Sequence, residues 1–313
     1  MPAKQQLGGA ALGALALAAG AAALARRRAS SAPADHRRSP QPTVRAARRL
    51  NRAAGLIATS TLLDSGIEHY RGTFHNKAML TPLIVSVLTL AVSVHGTGDT
   101  RPVAHRMRDA VYAGGALTGL VGTGFHLYNI GKRPGGFCWQ NMLYGSPLGA
   151  PSAVALSGLL GYYSERLRGS GSAKAPRVFG LRAGRALAAL AAMGLLATAG
   201  EAGLLHFRGA YHDPFMYVPV TVPPVAAALL AETAATHPRK PRRLTRWWLR
   251  LTALVGFAGA SFHILGVHRG MGGWHNWSQN VLNGPPIPAP PSFTGLALAG
   301  LAALGLIEEH PGA

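Results

Sequence analysis

DSGIEHYRGTFHNKAMLTPL, residues 64–83, and EAGLLHFRGAYHDPFMYVPV, residues 201–220, align without a gap at an offset of 137 residues. Seven of the twenty positions are identical: Gly66/Gly203, His69/His206, Arg71/Arg208, Gly72/Gly209, His75/His212, Met79/Met216 and Pro82/Pro219. An acid heads each copy, Asp64 and Glu201. The same offset pairs His126 with His263, inside FHLYNIGKRPGGFCWQN and FHILGVHRGMGGWHNWSQN, and after a two-residue shift QNMLYGSPLGAP matches QNVLNGPPIPAP. Around these polar residues the helices have drifted to Ala, Leu and Gly. An internal repeat that keeps its polar set while its apolar filler diverges points to a constraint on the polar set.

The filler decides the fold class. With 48% hydrophobic residues, several runs approach the roughly 20 apolar residues that cross a bilayer. Expected spans fall at about 54–70, 79–96, 109–130, 147–163, 186–206, 215–234, 247–267 and 291–307. The expected architecture is an all-α integral membrane protein of two four-helix transmembrane units, residues 51–165 and 184–309. An even number of spans returns the chain to its starting side, so the two units are parallel repeats rather than an inverted pair. An Ala-rich helix within residues 1–28 would bring the total from eight spans to nine. Basic linkers are expected at 29–50 and 166–183.

The net charge of +20 is read as topology and not as nucleic-acid binding, because no aromatic stacking positions interleave the basic runs. Nine Arg lie in 26–54, three in 96–109, six Lys or Arg in 164–185 and six in 235–250. The opposite loops hold only Arg71, Lys77, Lys132, Arg133, Arg208 and Arg269. The basic loops are therefore expected in the cytoplasm and the motif loops in the periplasm, for a multi-pass protein of the bacterial inner membrane.

A single cysteine, Cys138, excludes an intramolecular disulfide, CxxC redox chemistry and covalent haem. HExxH, GxSxG and a Walker loop are absent, so the chemistry left is that of histidine and carboxylate. Ionisable groups within a bilayer are costly and mark function by default. Three readings of the repeated set stand side by side. In the first, His69 with His126, and His206 with His263, hold a b-type haem, with Gly114, Gly115, Gly119, Gly122 and Gly124 giving close approach; tight helix packing is the competing account of those glycines. In the second, a non-haem transition metal is held by His69, His75 and His126 near Asp64, and by His206, His212 and His263 near Glu201. Asp64 and His69 lie about 140° apart on a regular helix, so that set requires unwinding. A left-handed cap at Gly72 and Gly209 would end the helices and let His75 and His212 fold back. In the third, the same groups form a quinone or substrate pocket, with Arg71 and Arg208 positioning an oxygen or an anion, or else pairing with Asp64 and Glu201.

Met79 and Met216 are expected to be core side chains. Trp139, Trp274, Trp277, Tyr128 and Tyr144 fit an interfacial aromatic belt. His95, His105 and His237 are expected at the surface. The loops at 131–150 and 269–290 are read as lids carrying Asn141 and Asn280 toward the sites. As a fold-level analogy only, the layout resembles quinone-linked membrane subunits of respiratory complexes and multi-haem cytochrome b proteins. The leading expectation is an electron-transfer subunit serving a periplasmic dehydrogenase through quinone. The alternatives are an ion- or proton-coupled transporter and a metal-dependent enzyme acting at the outer leaflet.

Overall fold

The computed structural model describes residues 41–170, 175–236 and 242–310. The Ala-rich helix expected within 1–28, most of the 29–50 linker and His237 lie outside the described residues. The described chain is helical apart from one short ribbon. Its helices are α1 (Pro42–Arg71), α2 (Thr81–Gly98), α3 (Arg106–Gly131), α4 (Trp139–Tyr144), α5 (Gly149–Arg168), α6 (Ala183–Arg208), α7 (Val218–Ala235), α8 (Arg243–His268), α9 (Trp277–Asn283) and α10 (Pro291–Glu309). Strands β1 (Arg177–Val178) and β2 (Leu181–Arg182) pair antiparallel between α5 and α6. Five segments among the described residues are long and apolar enough to cross a membrane: Lys77–Gly98, Ala183–Arg208, Pro214–Ala235, Arg243–His268 and Pro291–Glu309.

α1 packs on α2 and α5, and α3 packs on the same two helices, so α1 and α3 face each other across a diagonal. α6, α7, α8 and α10 repeat this ring, with α6 and α8 on the diagonal. The two rings meet where α10 packs on α1 and α5 on α6. The buried core is rich in small side chains, among them Ala47, Ala53, Ala54, Ala188, Ala191, Ala299 and Ala303. Lipid tails are as apolar as leucine, so close van der Waals packing of small residues is what associates helices there. Gly295 is an instance: a Cβ on it would lie 2.6 Å from Ile57 Cγ1 and 3.0 Å from the Ala53 carbonyl oxygen. On the outside, Ile84, Leu88, Leu117, Val121, Leu254 and Phe257 are exposed, an apolar belt suited to lipid contact.

The first helix starts well before the expected residue 54, within the stretch expected as linker. Pro42 occupies its first turn, where the missing N–H costs nothing, and Val44, Ala46, Ala47 and Leu50 are buried. Arg48 and Arg49 then donate to the Thr97 and Leu301 carbonyls at 2.8 and 3.0 Å, which ties the extension down. The second expected linker is likewise structured in part. α5 continues through Arg168, and Phe179 in the ribbon stacks on Tyr162 with ring centroids 5.6 Å apart.

Candidate functional site

The C-terminal ends of α1, α3, α6 and α8 share one end of the molecule with the loops that follow them. At the end of α1, Phe74 N–H donates to His69 O at 3.0 Å, and Thr73 and Phe74 adopt left-handed φ of 60° and 48°. At the end of α6, Tyr211 N–H donates to His206 O at 3.1 Å, and Ala210 and Tyr211 adopt φ of 56° and 47°. The expected left-handed cap therefore falls one and two residues after Gly72 and Gly209, whose own φ are −78° and −85°. The glycines occupy the C-cap position itself and also allow close approach. A Cβ on Gly72 would lie 3.1 Å from Met79 Cε, and one on Gly209 lies 3.1 Å from Met216 Cε. A left-handed non-glycine residue costs about 1–2 kcal/mol, and such conformations concentrate at functional sites.

That turn carries the chain back over the histidines. His69 Nδ1–H donates to Met79 O at 2.6 Å, and His206 Nδ1–H donates to Met216 O at 2.8 Å. Across the bundle, His126 Nδ1–H donates to Pro147 O at 2.5 Å and His263 Nδ1–H to Pro286 O at 2.7 Å. A carbonyl only accepts, so each neutral ring carries its proton on Nδ1 and leaves the Nε2 lone pair free. His126 lies within electrostatic reach of His69, and His263 within reach of His206. No ring contact joins either pair among the described residues. Each pair thus sits on diagonal helices of one ring, with both rings oriented by backbone carbonyls.

Other expected members are placed elsewhere. His75 and His212 turn back on the helix ends, donating to Gly72 O and Gly209 O at 3.0 and 2.9 Å. α1 runs unbroken through Arg71, so the unwinding needed to aim Asp64 and His69 at one ligand does not occur. Asp64 instead lies within electrostatic reach of Glu201 and Glu68. Glu201 accepts the Gly149 N–H at 3.1 Å. The position matching Gly149 in the second half is Pro288, which has no N–H to offer Asp64. Among the described residues no group of three or more His, Cys, Asp or Glu comes together in a way that would hold a metal ion. The three-histidine-plus-acid sets are therefore not assembled.

Arg71 pairs with Glu68 at 2.6 Å and not with Asp64, and Arg208 lies over the Tyr144 ring, 5.0 Å from its centroid. Asn141 and Asn280 hold their own loops together. Asn141 Nδ2 donates to Pro134 O and Gly136 O at 3.0 and 2.7 Å, and Asn280 Nδ2 to Met271 O and Gly273 O at 3.3 and 3.0 Å. The glycines expected to flank a cofactor also have packing roles. Gly119 meets the Ala155 backbone of α5, Gly115 meets Thr89 Oγ1, and Gly122 meets Pro151, whereas Gly114 and Gly124 face open space. The loop of residues 131–150 reaches across the seam, with Trp139 edge-on to Phe207 at 6.4 Å.

A second polar cluster, unforeseen in the sequence, fills the opposite end of the first ring. Glu165 accepts from Arg108 Nε at 2.9 Å, Arg108 Nη2 at 3.0 Å and the His105 N–H at 2.8 Å. Arg108 Nη1 reaches Asp99 at 2.8 Å, and Arg168 Nη2 donates to Gly96 O and Asn51 Oδ1 at 2.6 and 3.1 Å. Asn51 Nδ2 donates to Tyr112 Oη at 2.9 Å and Ser164 Oγ at 2.7 Å. Burial alone would raise the Asp99 carboxyl, but donors from Arg101 and Arg108 prevail and hold it well below the usual carboxylate range. His95, exposed as expected, and His105, half-buried where the surface was expected, meet edge-on at 5.5 Å beside this cluster. Comparison with protein-family models, curated proteins and solved structures returns no match.

Proposed function

We propose that the chain is a multi-pass membrane electron-transfer subunit built from two copies of one four-helix unit, each binding a b-type haem between its diagonal histidines. His69 with His126, and His206 with His263, would be the axial ligands. The observation that carries this reading is the Nδ1–H···O=C bond at all four rings, which fixes the tautomer and presents Nε2 as a ligand. A two-histidine site also needs no third donor, whereas a non-haem centre would need the cluster the described residues do not assemble. Haem held in this way supplies reversible one-electron transfer. The chain's own contribution is to orient the imidazoles, through turns whose geometry is the same in both halves.

The repeat itself is supported by the paired turns, by the matching Asn141 and Asn280 bonds and by the equivalent ring packing. On this reading the eight long helices of the described residues all span the bilayer. The basic ends face the cytoplasm of a bacterial inner membrane, and the histidine ends face the periplasm. Quinone and a periplasmic dehydrogenase are the exchange partners this placement suits.

A second reading, proton-coupled transport, rests on a separate observation. Asp64 on α1 and Glu201 on α6 bring two carboxyl groups within electrostatic reach across the seam, and Asp64 makes no hydrogen bond among the described residues. The deciding experiment is an absorbance spectrum of detergent-purified protein before and after dithionite. A Soret band with sharp reduced α and β bands is expected, and His69→Ala or His126→Ala should remove half of it. Well-folded protein without haem absorbance overturns the reading and leaves the carboxyl pair as the better lead.

A further inference from the structure

We propose that an arginine cluster at the end opposite the histidines binds the phosphate of an anionic phospholipid. The inference rests on the membrane-spanning reading and on nothing about the cofactor. Arg49 on α1 lies within electrostatic reach of Arg45 and Arg52 on its own helix and of Arg246 and Arg250 on α8. α10 lies between the two helices, and Arg49 Nη1 donates to its Leu301 carbonyl at 3.0 Å. Only two carboxylates answer these five guanidinium groups: Glu309 pairs with Arg45 at 3.1 Å, and Glu308 pairs with Arg246. Five less two leaves Arg49, Arg52 and Arg250 without a carboxylate partner among the described residues. Three like charges gathered at a helix seam repel one another unless an anion joins them.

The surroundings suit a lipid. Twenty residues of α1 separate Arg49 from His69, about 30 Å at 1.5 Å per residue, the thickness of a bilayer's hydrocarbon core. The arginines therefore lie at head-group level of the leaflet opposite the histidines. On α8, Trp247 is exposed beside them and Leu254 is exposed one turn deeper than Arg250, offering an aromatic anchor and an acyl surface. Arg presents a planar fork matched to phosphate oxygens, and basic pockets between helices hold anionic head groups. Net positive charge at helix ends is not by itself the explanation. The positions matching Arg49, Arg52 and Arg250 in the other half are Ala186, Ala189 and Ala113, and the match to Arg246 is Asp109, already paired with Arg166.

The test is native mass spectrometry of delipidated, detergent-solubilised protein titrated with phosphatidylglycerol, with phosphatidylcholine and with inorganic phosphate. Saturable binding of phosphatidylglycerol alone is expected. Arg52→Gln with Arg250→Gln, both exposed, should weaken it about 25-fold, at about fivefold per basic residue lost near an anionic surface. Arg49→Lys keeps the charge but loses the fork and should weaken it less than the double variant. Arg106→Gln, outside the cluster at the same end, should change it less than twofold. Equal loss in the Arg106 variant would mean diffuse surface charge, and displacement of lipid by inorganic phosphate would mean a free-anion site; either result overturns the proposal. A requirement for detergent in extraction, scored on the same preparation, tests the membrane reading separately.

Discussion

Replacing Glu165 with leucine should destabilise the protein by about 3–5 kcal/mol, the range for breaking one side of a buried ion pair. Arg108, Glu165 and Arg168 have side chains no more than 1% exposed, so water cannot replace what is lost. Glu165 and Asp99 face the two buried guanidinium groups of Arg108 and Arg168, and the exposed Arg101 also pairs with Asp99; without Glu165, the two buried guanidinium groups have only the shared Asp99 carboxylate, and the His105 N–H loses its acceptor. Glu165→Gln keeps the volume and one acceptor oxygen and should cost less than leucine. The second ring supplies the control. Positions matching Asn51, Ser93, Tyr112, Ser164, Glu165 and Arg168 are Ala188, Leu230, Leu249, Ala303, Leu304 and Ile307, all buried and apolar. The space corresponds as well: Gly161 accommodates the Tyr112 ring, and Gly300, its match, accommodates Leu249 and Leu230. Transplanting that set into the first ring, with Gly96→Thr, Asp99→Thr and Arg108→Thr as in the second, should therefore be neutral or stabilising by about 1–4 kcal/mol. Equilibrium unfolding in mixed micelles, followed by helical circular dichroism, measures both. A cost below about 1 kcal/mol for Glu165→Leu, or a transplant costlier than the single change, would refute the reasoning.

The turn and the end opposite the histidines each give a further expectation. Gly72→Ala and Gly209→Ala press a Cβ against a methionine methyl group 3.1 Å away, and each should cost about 1 kcal/mol and broaden the resonance of the adjacent histidine, read by selective histidine labelling in nuclear magnetic resonance. The Asp99 carboxyl is depressed in the folded state, so its stabilisation is complete above the unfolded value near 3.9 and is lost as pH falls through the lower folded value. Asp99→Asn should accordingly lower stability at pH 7 and flatten its dependence on pH below about 4, measured by thermal unfolding across a pH series.

How much was legible in the sequence varies with where the information sits. Helix identity and approximate limits follow from apolar runs, and α2, α7, α8 and α10 lie close to the spans expected. The early start of α1 did not, because Arg45, Arg48 and Arg49 read as a solvated linker until their carbonyl and carboxylate partners on other helices are known. The four histidines were legible as a repeated set, yet their tautomer depends on the Met79, Pro147, Met216 and Pro286 carbonyls, which residue types alone do not reveal. Gly72 and Gly209 do cap their helices as spacing suggests, but the left-handed residues follow them, since spacing along the chain does not show that Met79 and Met216 return to cover the glycines. The Arg108–Glu165 cluster has a signal in the alignment of the halves: eight polar positions of one half match apolar or threonine residues in the other. A difference between aligned halves carries as much information as an identity.

That difference bears on how the proposed duplication divides labour. The histidine ends are alike in hydrogen bonding, backbone φ and glycine–methionine contact, so whatever acts there acts twice. The opposite ends have parted, one ring holding a buried ionic cluster and the other an alanine–leucine core of the same layout. Both solutions keep their helices packed, so stability alone does not require the ions. Their placement beside Asp99 and Arg101, where the chain leaves α2, ties the loop before α3 to α5 through Glu165 and the His105 N–H. In the second ring the corresponding tie is Glu308 accepting from Arg242 N–H at 2.9 Å and pairing with Arg246, one helical turn further along and near the arginine cluster. The ionic groups of the two rings thus tie equivalent loops through acids one helical turn apart, and the arginines without a carboxylate partner in the cluster, Arg49, Arg52 and Arg250, lie on α1 and α8 on either side of α10. Asymmetry at the arginine end with likeness at the histidine end is what the proposed function needs, if one reaction is performed at two sites while membrane or partner is met in a single orientation.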